Sequence, residues 1–313
     1  MSQIFVIGLG PGKPSQRTPE AQETLAQATD VIGYGPYVDR VDLPAHITRH
    51  PSDNRVELDR ARHALELAEQ GRCVAIVSGG DAGVFGMASA LFEAIDHEPD
   101  RWSDMNVTVI PGVSAVLAAA ARVGAPLGGD FCVMSLSDNL KPWETVCRRL
   151  ILAAQAGFVI ALYNPRSKAR PWQLGEAFEV LRQELSGTVH VAFARAIGRA
   201  DERLHLTDLS HADPELVDMS TLVLIGTTLT HRIERPDGQA WLYTSRSVPA
   251  RSWRSNQSSA SSTVVTLSAG GSVGRSIMIT GNFNALAAIN LAPVASAPAF
   301  LVTRTCTAWS LIR

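Results

Sequence analysis

Three glycine-rich segments contain the residue types in this sequence that can form a binding site. They are Ile7–Gly12, Ser78–Gly86 and Ile110–Ala115, and each continues or directly follows a short apolar run. Glycine has no Cβ, so it lets the backbone turn sharply and approach a ligand closely. In an open α/β sheet, ligands bind beyond the carboxyl ends of the strands. We therefore expect the three turns to converge on one site.

The first segment does not match the two common phosphate-binding patterns. A dinucleotide-binding fingerprint needs a third glycine where this chain has Lys13, and a Walker A loop is excluded because Pro14 follows that lysine. In the second segment, Asp81 either binds an amine or a ribose hydroxyl or caps a helix predicted at 84–95. In the third, Ser114 is a natural N-cap, and its hydroxyl and the neighbouring amides can also bind a carboxylate.

The elements around these turns alternate in the manner of an α/β protein. A helix is predicted after Thr18, its candidate N-cap, with Pro19 at the first helical position. Two more, at 57–70 and 172–185, stop near Gly71 and Gly187. The predicted strands are Ile4–Ile7, Val74–Val77, Val107–Ile110, Phe131–Ser135, Phe158–Leu162, Val189–Ala194 and Leu222–Ile225.

The domain organisation is predicted from composition. A Gly/Pro cluster at 124–129 is the candidate linker between an N-terminal α/β domain at 1–120 and a C-terminal α/β domain at 125–248. No Asp or Glu follows Asp237, and the chain becomes rich in Ser and Ala after residue 248. We expect residues 249–313 to be a poorly ordered extension.

Composition excludes several classes of protein. With 313 residues, 46% of them apolar and 19% charged, the chain is typical of a soluble globular protein. A net charge of −2 argues against a nucleic-acid-coating protein. The sequence shows no signal peptide and no apolar run of about 20 residues that would span a membrane. Four scattered cysteines without a C-x-x-C pair indicate a reducing cytoplasm and no local metal site.

Taken together, the motifs resemble the tetrapyrrole methylase family, the class III methyltransferases. The resemblance rests on GLGPG at 8–12, SGGDAGVFGMAS at 78–89 and PGVSAVLAAAARVGAPL at 111–127, and it extends from about residue 3 to about residue 247. Segments 33–38, 135–144, 162–174 and 198–202 resemble the branch that methylates carbon 17 of precorrin-3B. The resemblance implies two α/β domains with a cofactor cleft between them, and a homodimer.

This resemblance also implies a reaction and a cofactor site. The reaction is methylation by S-adenosylmethionine, coupled to ring contraction to precorrin-4 in cobalamin biosynthesis. A sulfonium is already an activated methyl donor, so holding the reactants in line suffices without a metal or a covalent intermediate. The residues that the family motifs place at the cofactor are Pro11, Gly80, Asp81, Val84, Phe85, Ser114, Ala115, Leu162, Tyr163, Ala196 and Thr227.

A tetrapyrrole with many carboxylates should be bound by basic side chains. The dense basic loop with Arg166, Lys168 and Arg170 is our candidate, followed by the group Arg49, His50 and Arg55. Each of these residues can instead be a solvated surface charge. For the proton transfers of ring contraction, the candidates that the sequence does not rank are Asp138, Glu144, His50 and Tyr37.

Three other functions stay open at this point. One is a methylase of the same fold that acts at carbon 11 or carbon 20 of the macrocycle. Another is a nucleotide-binding oxidoreductase, against which the glycine missing at Lys13 argues. The third is a noncatalytic ligand-binding module, since methyl transfer requires few catalytic side chains.

Overall fold

A computed structural model describes residues 3–54, 56–248, 265–267 and 277–279. The first sheet has five strands, which are β1 (Gln3–Gly8), β2 (Asp30–Tyr34), β3 (Thr48–Ser52), β4 (Cys73–Ser78) and β5 (Val107–Ile110). All are parallel, in the order β3-β2-β4-β1-β5. The central strands β1 and β4 are apolar and buried along most of their length, as expected for a parallel sheet that is covered on both faces.

Helices cover both faces of this sheet. They are α1 (Pro19–Gln27), α2 (Gly35–Val38), α3 (Glu57–Glu69), α4 (Met87–His97) and α5 (Pro99–Trp102). On one face, Leu25 of α1 packs in a cluster with Ile7. On the other, Leu65 of α3 and Leu91 of α4 pack in a cluster with Val6. The alternating strand residues thus supply one core to each face of the sheet.

The order of the strands creates a crevice between β1 and β4. The connection from β1 leads past β4 to β2, whereas the connection from β4 leads past β1 to β5. Because the two connections depart in opposite directions, the carboxyl ends of these neighbouring strands are the topological switch point at which open α/β sheets bind ligands. The first two glycine-rich segments lie at this edge.

The chain then passes through α6 (Ala115–Val123) and a two-residue strand, β6 (Gly124–Ala125), to a second sheet. Its strands are β7 (Phe131–Ser135), β8 (Val159–Tyr163), β9 (His190–Arg195), β10 (Arg203–Asp208) and β11 (Thr221–Ile225), in the order β10-β9-β11-β8-β7. Only β7 and β8 pair in parallel, and the remaining pairs are antiparallel. Helices α7 (Trp143–Gln155) and α8 (Gln173–Glu184) cover one face.

Helix α6 covers the other face of the second sheet. Val116 and Ala119 pack in one cluster with Ala161 and Leu224 of that sheet. Residues 1–246 form one compact unit that contains both large sheets. The segment predicted as a linker at 124–129 contributes β6, which pairs with β13 (Ala240–Thr244) beside β12 (Thr230–Glu234) in a third sheet. The domain boundaries at 120 and 125 therefore stay a prediction.

The extension predicted for 249–313 lies outside the described residues except for two short strands. These are β14 (Val265–Leu267) and β15 (Ile277–Ile279), which pair antiparallel. In the part of the chain that the structure describes, no helix combines the length and the apolar character needed to cross a bilayer.

The predicted strand runs all fall on strands, with each end point within one residue of the observed one. The cap of α1 is also confirmed, since the Thr18 hydroxyl accepts a hydrogen bond from the Ala21 amide at 3.2 Å. The helix predicted at 84–95 is wrong at its ends, because α4 spans 87–97. Phe85 has a φ of 53°, and the following Gly86 is extended, so neither can belong to the helix.

A buried carboxylate ties together the end of the first sheet opposite the glycine turns. Asp30, 1% exposed, accepts hydrogen bonds from Arg72 at 2.6 and 3.0 Å and from the Thr29 hydroxyl at 2.7 Å, and it lies 2.9 Å from His50 Nε2. Burial raises the pKa of Asp30. Hydrogen bonds from Arg72, Thr29 and His50, with the attraction of the Arg72 charge, outweigh burial and lower that pKa to about 2.

We predict that Asp30 makes the fold acid-sensitive. Because its folded-state pKa lies below that of an unfolded aspartate, its stabilisation is present above about pH 4 and is lost as the pH falls toward about 2. The contribution should be on the order of 2 kcal/mol of unfolding free energy. In urea unfolding, the difference between wild type and Asp30→Asn should shrink from pH 7 to pH 3. Asp42→Asn, at an exposed carboxylate, is the control. An equal loss of unfolding free energy in wild type and in Asp30→Asn between pH 7 and pH 3 would contradict the prediction.

Candidate functional site

The three glycine-rich turns meet at the carboxyl edge of the first sheet, so the predicted convergence is confirmed. Gly10 and Gly80 exchange backbone hydrogen bonds of 3.0 and 2.9 Å. A Cβ placed on Gly8 would lie 2.7 Å from the Gly112 amide nitrogen and 2.8 Å from the Gly80 carbonyl oxygen. No side chain fits into these contacts, because they are shorter than van der Waals separation. The site is therefore built from backbone in direct contact with backbone.

Asp81 ties the second turn to the third. One carboxylate oxygen accepts a hydrogen bond from the Gly83 amide at 2.8 Å, and the other accepts one from the Gly112 amide at 2.8 Å. The alternative that Asp81 caps the following helix is wrong, because the Met87 amide at the start of α4 donates instead to the Ser78 hydroxyl at 3.0 Å. Asp81 holds the shape of the site through bonds to backbone.

Tyr163, at the end of β8, connects the second sheet to the third turn. Ser114 occupies the N-cap position of α6, but its side chain caps no amide of the helix. The Val116 amide donates instead to the Tyr163 hydroxyl at 2.9 Å, and that hydroxyl lies 2.6 Å from the Ser114 hydroxyl. Burial raises the pKa of the Tyr163 phenol, which therefore stays protonated near neutral pH.

Strained backbone marks the loops around these contacts. In the described part of the chain, the non-glycine residues with positive φ are Phe85 at 53°, Asn164 at 51° and Ala196 at 49°. Phe85 belongs to the second turn, Asn164 follows Tyr163, and Ala196 follows β9. The Phe85 ring, 53% exposed, meets the Tyr163 ring edge-on at 5.3 Å between centroids. Such conformations persist where the surrounding structure holds them, and they cluster at ligand sites.

The other predicted cofactor residues differ in how near they lie to the turns and in how far they are buried. Pro11 is buried between Gly10 and Gly12, and Val84 and Ala115 adjoin Phe85 and Ser114. Leu162 and Ala196 are 0% and 3% exposed, which leaves mainly their backbone for a ligand.

Thr227 is not brought to the turns. Strand β11 runs antiparallel to β8 and pairs Ile225 with Ile160, so the loop after β11 lies at the edge opposite Tyr163. The Thr227 hydroxyl accepts a hydrogen bond from the Leu229 amide at 3.0 Å. The cofactor contact of Thr227 stays a prediction that its position does not support.

The three cations of the predicted basic loop are not equally free to bind a ligand. Arg166 donates to both carboxylate oxygens of Glu215 at 2.6 Å. Arg170 is 8% exposed, and its guanidinium donates to the Leu136 carbonyl at 3.2 Å. Lys168 is exposed. Two of the three cations are thus bound within the protein, and Lys168 is the one whose charge is open to a ligand.

The second predicted basic group has internal partners as well. The Arg49 guanidinium donates to the carbonyls of Val38 and Val41 at 3.0 and 3.1 Å, and so fixes the chain after α2. His50 pairs with Asp30, away from the turns. Arg55 lies outside the described residues. A role for these residues in binding the substrate gains no support from their positions.

Among the four proton-transfer candidates, Tyr37 lies closest to the turns. A Cβ on Gly79 would lie 2.8 Å from the Tyr37 phenol carbon Cζ, so the ring packs directly against the second turn. Asp138 accepts hydrogen bonds from the side-chain amide nitrogen Nε2 of Gln173 at 3.2 and 3.3 Å. Glu144 is exposed in the first turn of α7. These positions give no residue a catalytic role, so the assignment stays open.

Sequence reasoning missed Arg40, whose guanidinium carbon lies 4.8 Å from the centroid of the Tyr37 ring. It also gave no role to Arg199, although the segment 198–202 contributed to the family resemblance. Charge density along the chain favoured the loop with Arg166, and only the fold brings Arg40 and Arg199 to the turns. In the described residues, no group of three His, Cys, Asp or Glu side chains could hold a metal ion.

This arrangement defines a class of α/β protein in which backbone turns of a parallel sheet, tied to a second mixed sheet, form a small-molecule site. The family model for tetrapyrrole (corrin/porphyrin) methylases matches residues 3–213. The chain belongs to the tetrapyrrole methylase family, and it is a methyltransferase by that membership.

Individual relatives agree with this assignment. A precorrin-3B C(17)-methyltransferase of Sinorhizobium sp is 57% identical over 244 residues, which are 78% of this chain and 96% of that protein. The solved structure of the methyltransferase CobJ is 48% identical and has a TM-score of 0.75, with 78% of this chain and all of that chain covered. Uroporphyrin-III C-methyl transferase of Thermus thermophilus, solved with S-adenyl homocysteine, shares the fold at 19% identity and a TM-score of 0.52, over 72% of this chain and 92% of that one.

We predict that Gly8→Ala disrupts the site. The added Cβ would force the turns at Gly80 and Gly112 apart, which should cost about 1–3 kcal/mol of unfolding free energy. Gly175→Ala in α8 is the matched control, because its nearest new neighbour is Pro214 Cγ at 3.8 Å. That control should be neutral or stabilising by up to about 1 kcal/mol. Urea unfolding compares the two variants, and equal stabilities would show that the glycine contact is not required.

Proposed function

We propose that this methyltransferase transfers a methyl group from S-adenosylmethionine to carbon 17 of precorrin-3B, with ring contraction to precorrin-4, in cobalamin biosynthesis. The observation that carries the proposal is the 57% identity to the Sinorhizobium precorrin-3B C(17)-methyltransferase across 96% of its length. The match to the CobJ structure over that whole chain supports the same conclusion. The missing dinucleotide fingerprint argues against an oxidoreductase.

The crevice between β1 and β4 fits the methyl donor. Gly8 and Gly112 pack backbone against backbone with no room for a Cβ, so this edge of the sheet is bordered by backbone amides and carbonyls that a ligand can approach closely. The exposed Phe85 ring and the Tyr163 ring provide an apolar wall. The complex of the Thermus enzyme with S-adenyl homocysteine supports a nucleoside site in this fold. The residues proposed to line the site are Pro11, Gly80, Asp81, Val84, Phe85, Ser114, Ala115, Leu162, Tyr163 and Ala196.

The protein contributes mainly position to the reaction. When bound, S-adenosylmethionine supplies a methyl group on a sulfonium, and the sulfur keeps the electron pair of the broken bond. Asp81 and Tyr163 keep the turns and the start of α6 in one geometry, which holds two bound molecules in line for attack. An electron pair of the macrocycle forms the new carbon–carbon bond. No nucleophilic side chain is needed for this transfer.

Substrate contacts and the setting of the enzyme complete the proposal. We assign the contact from the basic loop first to Lys168, since Arg166 and Arg170 are engaged with protein groups. Cys73, Cys132 and Cys147 are free thiols, which suits the cytoplasm. The homodimer implied by the family stays a prediction.

We predict methyl transfer to precorrin-3B and not to precorrin-2. Purified protein with labelled S-adenosylmethionine should transfer one labelled methyl group per molecule of precorrin-3B, because the Sinorhizobium carbon-17 methyltransferase is 57% identical over 96% of its length. The product and its labelled position are determined by mass spectrometry and NMR. Label at carbon 11 or carbon 20 would assign the chain to another branch, and binding without turnover would indicate a ligand-binding module.

We further predict that Asp81→Asn weakens nucleoside binding. The carboxamide leaves one acceptor oxygen for the two amides of Gly83 and Gly112, so the turns lose a charge-assisted hydrogen bond of about 1.5–3 kcal/mol. Calorimetry should show a Kd for S-adenosylhomocysteine at least about tenfold above that of wild type. Asp42→Asn removes the same charge at an exposed position and should keep the wild-type Kd. Unchanged affinity in Asp81→Asn would contradict the assignment of the site.

A further inference from the structure

Two arginines lie beside the glycine turns, Arg40 near the second turn and Arg199 near the first. Arg40 follows α2, donates through Nε to the Pro36 carbonyl at 2.9 Å, and places its guanidinium carbon 4.8 Å from the centroid of the Tyr37 ring. Tyr37 in turn packs against Gly79 of the second turn. This stack fixes the Arg40 guanidinium above the edge of the site while its Nη groups make no hydrogen bond or ion pair within the described residues.

Arg199 reaches the first turn from the loop after β9. A Cβ on Gly12 would lie 3.0 Å from Arg199 Cγ, and the same glycine touches the Gly198 carbonyl. The Arg199 guanidinium has no hydrogen bond or ion pair to any other described residue. The first turn therefore carries Arg199 at its rim, as the second turn carries Arg40 through Tyr37.

The carboxylates near Arg199 are already engaged. Asp201 accepts a hydrogen bond from Arg195 at 2.7 Å. Glu202 accepts one from the Gly198 amide at 2.7 Å and pairs with Arg122 at 2.8 Å. Asp201 still feels the positive charge of Arg199, which contributes to the lowering of its pKa after the hydrogen bond from Arg195. Both carboxylates therefore make their hydrogen bonds with other groups, and Asp201 acts on Arg199 through its charge alone.

The two guanidinium groups repel each other across the site. The protein atoms around Arg40 lower its pKa, the positive charge of Arg199 lowers it further, and Tyr37 opposes this shift. Arg17, beside the first turn, adds a third cation whose buried Nε has no partner in the described residues. Like charges held together without a counterion destabilise a protein, and a bound anion removes that cost.

We propose that Arg40 and Arg199 form a clamp for one carboxylate side chain of the tetrapyrrole, positioned by Tyr37 and by the Gly198 loop. This inference rests on the proposed function, and it names the residues that bind the substrate at that site. Guanidinium groups suit the task because they bind carboxylates through paired, charge-assisted hydrogen bonds. The carboxylate of the methyl donor is the competing occupant, and the experiment separates the two sources.

The test compares Arg40→Gln, Arg199→Gln and the double variant with wild type. We expect each single variant to raise the KM for precorrin-3B at least about tenfold, with kcat within a factor of about two and with the Kd of S-adenosylhomocysteine unchanged. If both guanidiniums hold one carboxylate, the double variant should raise KM by less than the product of the single effects. Arg40→Lys should restore part of the affinity, since it keeps the charge.

Arg232→Gln is the matched control. Arg232 lies on β12 and pairs with Glu234 at 2.6 Å, and its charge acts on His190 at the start of β9, the edge of the second sheet opposite Arg199. The Arg232→Gln variant removes one positive charge, as Arg40→Gln and Arg199→Gln do, and it should keep the wild-type KM for precorrin-3B. Arg199→Gln should also raise the Tm of the ligand-free protein or leave it unchanged, because it relieves the repulsion of Arg40.

The outcomes distinguish the clamp from the function on which it rests. Wild-type protein that methylates no precorrin would overturn the proposed function and the clamp with it. Turnover of precorrin-3B with wild-type KM in both single variants would overturn the clamp alone. A weaker affinity for S-adenosylhomocysteine, with binding of methylthioadenosine unchanged, would assign the arginines to the carboxylate of the methyl donor and would also overturn the clamp.

Discussion

The close approach of three backbone turns is the constraint on which the rest of the structure depends. Gly8 ends β1, and Gly80 and Gly112 follow β4 and β5; a Cβ on Gly8 or on Gly112 would lie within 2.8 Å of backbone atoms of the neighbouring turns. The contact therefore requires β1, β4 and β5 to end at one edge of the sheet, which the parallel order provides. It also requires that these strands be held in register by two buried cores, since a small shift of any strand would separate the turns.

Backbone contacts of this kind need polar groups to hold them, and the structure supplies two. Asp81 accepts hydrogen bonds from the Gly83 and Gly112 amides, and the Tyr163 hydroxyl accepts one from the Val116 amide at the start of α6. Both side chains accept hydrogen bonds from amides that a turn or a helix end would otherwise leave without a partner. Tyr163 has a second effect, because it lies on the second sheet. It couples the geometry of the glycine turns to a sheet that shares no strand with them.

The sequence predicted the fold class, the runs of the central strands and the convergence of the turns, because these follow from apolar runs and glycine positions. It did not predict the direction of β11, which places Thr227 at the far edge, since strand direction depends on pairing across the sheet. It also overestimated the availability of Arg166 and Arg170. Their partners, Glu215 and the Leu136 carbonyl, are distant in sequence, and only the fold brings them near.

Under the proposed function, the partners of the basic residues divide the recognition of two ligands. A cation that has already found a carboxylate or a carbonyl in the protein stabilises the fold, and it must break that contact before it can bind a substrate. Arg166 and Arg170 are in this position, whereas the Arg40 Nη groups and the Arg199 guanidinium have no such contact within the described residues. Backbone turns, which carry no net charge, suit a nucleoside that must fit by shape. Cations kept without counterions at the rim suit a macrocycle with many carboxylates. Under the proposed clamp, the two ligands are bound by separate groups, so a change in the arginines alters the affinity for the macrocycle while the nucleoside is bound as before.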